Sequence, residues 1–492
     1  MATILTGRSR LVLGSCLAAL LPGTASAHAL TSTPYVMPVP FWMYVYGCAA
    51  TLVVSFAVLS YFWNAPSVAR GATSRERAAT GASDGLQWVF WLLQVGAVAC
   101  LLLTIGAGLA GTGDPGSNIN MLLFWVLFLL GFTYLTVLVG DLYGVVNPWR
   151  ALVGWLERAG FDLSRPRVRY PQAAGYWPAF VFYVVLIWIE LFALPKPFLL
   201  SIVLGVYTVI TGIGVFLFGH DTWFRRCDVF GVFFRVVAAL APVEYARSSN
   251  GMSYRVRLRP PLSGARNNLG EADLSLVLFV LFMLSSTTYD GIYRTEFWVG
   301  LFWRPMLALF EPVWGTDLAR AQSTLESWFL VYQRAGLLLS PFCYLAFYLI
   351  VLTWAQAVTR ATVPLRRLAV DFVYSLVPIA LAYNATHYYP LLIAEGRRLP
   401  WRASDPLGLG WNLLNRSRPL VVPPELQMGT VWHTQVALIL VGHVVSVYLA
   451  HMIAVNTFHT RRQVIISQLP LLFLMVALTV IGLWVLSLPF AG

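Results

Sequence analysis

Mostly apolar runs recur ten times along the chain, at 41–63, 87–111, 121–140, 176–194, 197–219, 273–289, 337–358, 369–394, 431–455 and 463–488. About 20 such residues suffice for a helix to cross the hydrocarbon core of a bilayer. Only helices and closed barrels satisfy every backbone polar group there, and runs this long read as helices. The pattern therefore predicts an all-α polytopic membrane protein with about ten transmembrane helices. An eleventh apolar run, Leu11 to Leu21, is too short to span. Arg8 and Arg10 precede it, Pro22-Gly23 breaks it, and Ala25-Ser26-Ala27 follows. That arrangement is a secretory signal peptide cut after Ala27. The expected organisation is a signal at 1–27 and one polytopic membrane domain at 28–492, with His28 as the first mature residue.

The polar segments between the runs differ among themselves. Segments 148–160 and 229–245 read as amphipathic helices lying on the inner interface. Segment 252–262 alternates, with Tyr254, Val256 and Leu258 set against Arg255, Arg257 and Arg259, as a short strand or hairpin would. Pro195-Lys196-Pro197 marks a tight reversal between the fourth and fifth runs. The stretch 395–429 is rich in Pro, Gly and Trp and is expected to cap the outer face.

Composition agrees with a lipid environment. The chain has 492 residues, of which 58% are hydrophobic and 11% charged, too apolar a balance for a soluble domain. Thirty Phe, 22 Tyr and 19 Trp supply interfacial anchors. The net charge of +12 does not indicate nucleic acid, because the arginines sit in loops between apolar runs. With the N-terminus outside, inner segments hold 21 basic residues and outer segments 10. This positive-inside bias agrees with the signal peptide. It implies a bacterial cytoplasmic (inner) membrane, with both mature termini on the outer, periplasmic side. The five cysteines form no CxxC and read as structural thiols.

Ionisable residues inside spans are costly, which makes them functional candidates. The sixth run is oriented outward, so Asp290 lies about 26 Å above Asp273 at the helical rise. By the same rise, His387 lies about 27 Å above the start of the eighth run. Glu190 near the end of the fourth run and His433 at the start of the ninth share that depth, and a mature His28 could reach it. A looser inner group comprises His443 at mid-membrane with His451, Asp141, His220, Asp221, Asp228 and His459 nearer the inner surface. Imidazoles with a carboxylate suit Zn, Mn, Fe or Cu, so a divalent metal held by His28, Asp290, His387, His433 and His443 is one expectation. The bland expectation is that these histidines bond neighbouring helices, and that Asp290 caps a helix or pairs with Arg294. Asp228 would pair with Arg225 or Arg226. Ser285-Ser286-Thr287-Thr288 reads as helix packing. There is no HExxH and no Walker loop, and the GxSxG and GxGxxG matches lie outside the elements those motifs require.

Several segments together are similar to one family. HAL at 28–30 with the following PVP, GDLYGVVNPWR at 140–150 and GYWPAFVFYVVLIWIEL at 175–191 are three of them. RRCDVFGVFFR at 225–235, SSTTYDGIYRTEFW at 285–298, SLVPIALAYNATHYYPLL at 375–392 and GHVVSVYLAH at 442–451 complete the set. In order along nearly the whole mature chain, these resemble the bacterial integral membrane family called fenitrothion hydrolase. The resemblance implies hydrolysis of an organophosphorus triester at its P–O-aryl bond. The substrate would be an apolar small molecule arriving through the bilayer. The resemblance assigns no residues, and the catalytic candidates remain those of the depth reading, Asp290, His387 and Glu190. Two other classes remain open on the residues alone. One is a transporter or channel with a relay through Glu190, Asp290, His387, His443 and His451. The other is a copper-handling membrane protein that uses His28 as an N-terminal brace.

Overall fold

The computed structural model describes residues 39–62, 84–193, 196–247, 254–267, 273–314, 318–416 and 427–488. The expected signal peptide and His28 lie outside the described residues. Among the described residues ten helices are long and apolar enough to cross a membrane: Phe41–Tyr61, Gln87–Ala110, Ile119–Val139, Gln172–Phe192, Pro197–Phe218, Leu274–Ile292, Gln322–Thr359, Leu365–Gly396, Gly429–Thr457 and Arg461–Ser487. They are the first to tenth spans below, and they coincide with the ten apolar runs of the sequence.

The sixth and eighth spans form the centre. In their most apolar stretches 78% and 83% of residues are buried, against 17% to 50% in the other eight. A helix apolar on all sides belongs inside a large bundle, and LSLVLFVLFML at the start of the sixth span is such a sequence. The two central spans touch each other. The third and fourth spans pack on one side of them, and the seventh and ninth on the other. The second and fifth spans pair outside the third and fourth, while the first and tenth flank the ninth. Hydrogen bonds to main-chain carbonyls tie spans together: Tyr383 Oη donates to Leu478, Tyr289 Oη to Gln333 and Tyr348 Oη to Ala369. In lipid such polar contacts, together with close helix approach, hold a bundle that has little hydrophobic driving force.

Two segments differ from the sequence expectation. The 229–245 segment is not an interfacial helix. Val229–Ala238 is a helix buried among the spans, with Val232, Phe234 and Val237 fully enclosed, and the chain then turns into strand β1, Val243–Arg247. Its only charged residue, Arg235, gave it an amphipathic look, but one arginine does not make a polar face. The expected strand is present as β2, Tyr254–Leu258, and pairs antiparallel with β1. The segment after the sixth span, which the apolar runs left unassigned, is helical. Helix Glu296–Trp314 runs out and the helix Leu318–Thr359 returns, so the seventh span starts at Gln322 and not at 337. Phe302 and Trp303 against Phe329 and Tyr332 form the seam of this hairpin. The hydropathy of the run alone stopped at the arginine and glutamine residues, which are good helix formers.

Other expectations held. Helix Pro148–Arg158 is amphipathic, burying Trp149, Ala151 and Val153, with the Asn147 side chain accepting from the Arg150 N–H at 3.1 Å. The described part of the 395–429 stretch does form a cap. Its Leu407 and Pro406 carbonyls accept from the N–H groups of Thr112 and Ile119, closing the turn between the second and third spans.

The buried helix Val229–Ala238 is fixed at both ends. Asp228 at its N-terminus accepts from Asn147 Nδ2 at 2.7 Å and from Tyr207 Oη at 2.6 Å. At its C-terminus Arg259 donates to the Ala238 carbonyl at 2.6 Å and to that of Ala241 at 3.0 Å. An anion at the start and a cation at the end both match the helix dipole. Asp228 thus sits with Asn147 and Tyr207 and not with Arg225 or Arg226.

The eighth and ninth spans approach most closely at Gly442. A Cβ there would meet the Ala382 side chain and stand 2.9 Å from the Pro378 carbonyl oxygen. Gly442→Ala is therefore expected to destabilise the folded protein by about 1–3 kcal/mol through overpacking. Gly205→Ala in the fifth span, where nothing lies within 4 Å, should be neutral or slightly stabilising. Thermal unfolding of the two variants in detergent checks the contrast.

Candidate functional site

Asp290 lies in the last turn of the sixth span and is buried. Its Oδ2 takes two hydrogen bonds from consecutive residues of the eighth span. His387 Nε2 is 2.8 Å away and Tyr388 Oη donates at 2.7 Å. Neighbours on a helix point about 100° apart, so both reach one oxygen only when that oxygen sits between their directions. Tyr388 Oη also lies 3.4 Å from Glu190 Oε1 of the fourth span. The tyrosine therefore bridges two carboxylates, donating to the nearer one. Asp290 neither caps a helix nor pairs with Arg294, whose guanidinium lies over the Tyr293 ring.

Glu190, Asp290 and Tyr388 face a chamber among the spans that has an open mouth. Trp125, Leu129 and Leu130 of the third span form one wall, Leu186, Ile187 and Leu191 of the fourth another, and Phe230 and Phe233 of the buried helix a third. Ser286, Thr287 and Asn384 add the remaining polar surface. A largely apolar chamber with a few converging polar groups is the usual form of a small-molecule site. His387 does not line this chamber. It faces a second, smaller cavity, shared with Thr287, Thr288, Tyr383, Thr386 and Ile439. The Asp290–His387 pair thus stands between two cavities.

The wall from the third span is π-helical from Leu122 to Gly131. Ten residues of π-helix is long for a geometry that mostly occurs as single turns at functional sites. It directs Trp125, Leu129 and Leu130 into the chamber, and the Trp125 indole N–H has no partner in the protein. An apolar run carries no mark of π geometry, so the sequence reading missed this wall. It also missed Tyr388, although its adjacency to His387 was a signal.

The hydroxyl-rich stretch is mainly structural, as expected. Thr287 and Thr288 bond to the carbonyls of Met283 and Leu284, and Ser340 donates to Ser285. Among the metal-ligand candidates, Asp290 and His387 come together. His433 lies beside Tyr44 of the first span, with Nδ1 3.5 Å from Tyr44 Oη. His443 is buried deeper in the ninth span with its ring 5.8 Å from that of Tyr383. His28 lies outside the described residues. Among the described residues no group of three or more His, Cys, Asp or Glu could hold a metal ion. Asp290 and His387 offer two protein ligands bonded to each other, which does not fit the three or four of a zinc-type centre.

The inner candidates form separate pairs and not one cluster. Asp141 accepts from the Gly144 N–H, and His451 Nδ1 is 3.1 Å from Gln468 Oε1. His220 Nδ1 lies 2.9 Å from Glu157 and Nε2 3.2 Å from Asp221. The hydrogen bond to Asp221, aided by the charges of Asp221 and Glu157, holds the His220 imidazole above its ordinary pKa against the opposing effect of burial.

No family model, no curated protein and no solved structure matches this chain.

Two outcomes follow from these contacts. His387→Ala leaves Asp290 buried with one donor fewer and should cost about 3–5 kcal/mol of stability, as breaking a buried pair does. Adding Asp290→Asn should recover part of that loss, which a double-mutant cycle of unfolding measures. His220 has the raised pKa of a paired imidazole. Its stabilisation is complete below the unfolded value near 6.5 and is lost as pH rises through the folded value. Wild-type stability should therefore fall between about pH 6 and pH 8 more than that of His220→Gln, as melting curves across that window would record.

Proposed function

We propose that the protein is a membrane-embedded hydrolase of small apolar esters, and that organophosphorus triesters are the substrate class. The observation that carries this reading is the pair of carboxylates, Glu190 and Asp290, joined by Tyr388 in the wall of an otherwise apolar chamber. The resemblance to the fenitrothion hydrolase family supplies the substrate class. An apolar triester partitions into the bilayer and would be received laterally by a chamber among the spans. The arginine distribution supports a chamber nearer the outer leaflet of a bacterial inner membrane.

Glu190 has the looser contact of the two carboxylates and is the general base. It removes a proton from water, the oxygen attacks phosphorus in line, and the P–O-aryl bond breaks. The aryl oxide then takes up the proton held by Glu190, giving a phenol and a phosphodiester. Asp290 accepts from both His387 and Tyr388, and the Tyr388 oxygen, its one proton given to Asp290, accepts from the attacking water and orients it towards Glu190. Each step is assigned to Glu190, Asp290 and Tyr388 themselves.

The test is release of the nitrophenol from fenitrothion by the purified protein. Glu190→Gln and Asp290→Asn should lower kcat by about 10²–10⁴, the usual contribution of a general base. Tyr388→Phe should lower it less, and turnover should survive treatment with a chelator. Absence of turnover in the wild type would overturn the reading. So would activity that is lost to the chelator and restored by one metal.

A further inference from the structure

The ninth span carries a stripe of buried polar residues that the hydrolytic chamber does not use. Gln435, His443, Ser446 and His451 are all at most 8% exposed. Their directions spread over about 160° around the helix, from Gln435 against the eighth span to His451 against the tenth. The stripe begins at the level of His387, where Gln435 donates to the Thr386 carbonyl at 3.2 Å. It passes Ile439 and Tyr383, which line the same small cavity as His387, and the Tyr383 ring lies 5.8 Å from that of His443. Ser446 donates to the Ser375 carbonyl. The stripe ends at His451, six residues before the last residue of the span at Thr457. From Gln435 to His451 the helical rise amounts to about 24 Å, most of a hydrocarbon core.

The two histidines are set in the same way. His443 Nδ1 is 2.8 Å from the Ile439 carbonyl, which can only accept, so Nδ1 carries the hydrogen. His451 Nδ1 is 3.1 Å from Gln468 Oε1. The Gln468 amide nitrogen is committed to the Val464 carbonyl at 2.7 Å, so Oε1 accepts and His451 Nδ1 also carries its hydrogen. In both rings Nε2 is left with its lone pair, and neither Nε2 has a hydrogen-bond partner among the described residues. His443 is 0% exposed and His451 3%. Two buried imidazoles on one transmembrane helix, each with Nδ1–H tied and Nε2 unpaired, are costly to keep unless Nε2 receives something. Their separation of eight residues, about 12 Å, is too great for one shared metal.

We propose that this stripe is a proton path from the His387 cavity to the opposite face of the bundle, with His443 and His451 as its two proton-binding stations. Nδ1–H cannot be passed to a carbonyl or an amide oxygen, so neither ring acts as a through-wire. Each Nε2 takes a proton from a water on one side, forming an imidazolium that keeps both its N–H groups. It then returns that proton to a water on the other side, and Nδ1–H stays bonded throughout. Water is the co-reactant, and charge and atoms balance at every transfer. The path needs no hydrolytic activity and stands apart from the proposed chemistry in the chamber.

The experiment reconstitutes the full chain in liposomes holding a pH-sensitive dye. A potassium diffusion potential set with valinomycin drives protons inward. Wild-type protein should acidify the lumen at least tenfold faster than protein-free liposomes. His443→Asn and His451→Asn keep a donor for the Ile439 carbonyl and for Gln468 but lack Nε2, so both should fold and conduct at the protein-free rate. A merely structural histidine would tolerate this exchange. Wild-type flux at the protein-free level overturns the proposal whatever the variants do. Folded Asn variants that conduct as the wild type does overturn it equally.

Discussion

A carboxylate inside a bilayer must be paired, and the pairing of Asp290 governs how the centre of this protein is built. A buried charge costs several kcal/mol unless partners meet it with good geometry. Here one oxygen is met by both His387 and Tyr388, which requires the sixth and eighth spans to lie against each other at one rotation and one height. The same two spans are the most enclosed of the ten. Gly442 then lets the ninth span come close to the eighth, and Gly482 leaves room for the Tyr383 hydroxyl beside the tenth. The polar pair sets the register of the central helices, and the small residues let their neighbours close around it.

The chamber depends on a second set of contacts. Asn147 caps the amphipathic helix Pro148–Arg158 and, through Asp228, also anchors the helix Val229–Ala238. Trp149 stacks on Phe230, which lines the chamber. A short chain of contacts therefore runs from the amphipathic helix to the wall facing Glu190. Opposite it, the π-helical turns of the third span widen the backbone and bring Trp125 to the same space. The apolar walls are thus built from segments of unusual geometry, while the polar groups come from regular spans.

Much of this was legible in the sequence. The ten spans followed from apolar run length, because length against bilayer thickness is a strong constraint. Asp290, His387 and Glu190 could be placed at one depth by counting helical rise, and the folded chain brings those three together. His433 was placed at that depth too, but depth says nothing about direction around a helix. Its ring lies beside Tyr44 on the first span. The buried helix was misread because a single arginine in an apolar helix mimics an amphipathic pattern. The π-helical wall was unreadable, since its backbone geometry leaves no trace in a run of leucines and aromatics. His443 and His451 were visible as intramembrane histidines, but only hydrogen-bond geometry distinguishes their tied Nδ1 from their unpaired Nε2.

The central claim is that the Glu190–Asp290 chamber receives an apolar phosphotriester. Photolabelling tests it most directly. A triester bearing an aryl diazirine would be irradiated with the protein in membranes, and the labelled residues mapped by mass spectrometry. The account predicts labels at chamber walls such as Trp125, Leu129, Leu186 and Phe233, and competition of those labels by unlabelled triester. Labels confined to outward-facing positions such as Leu102 and Val209, with none in the chamber, would contradict it.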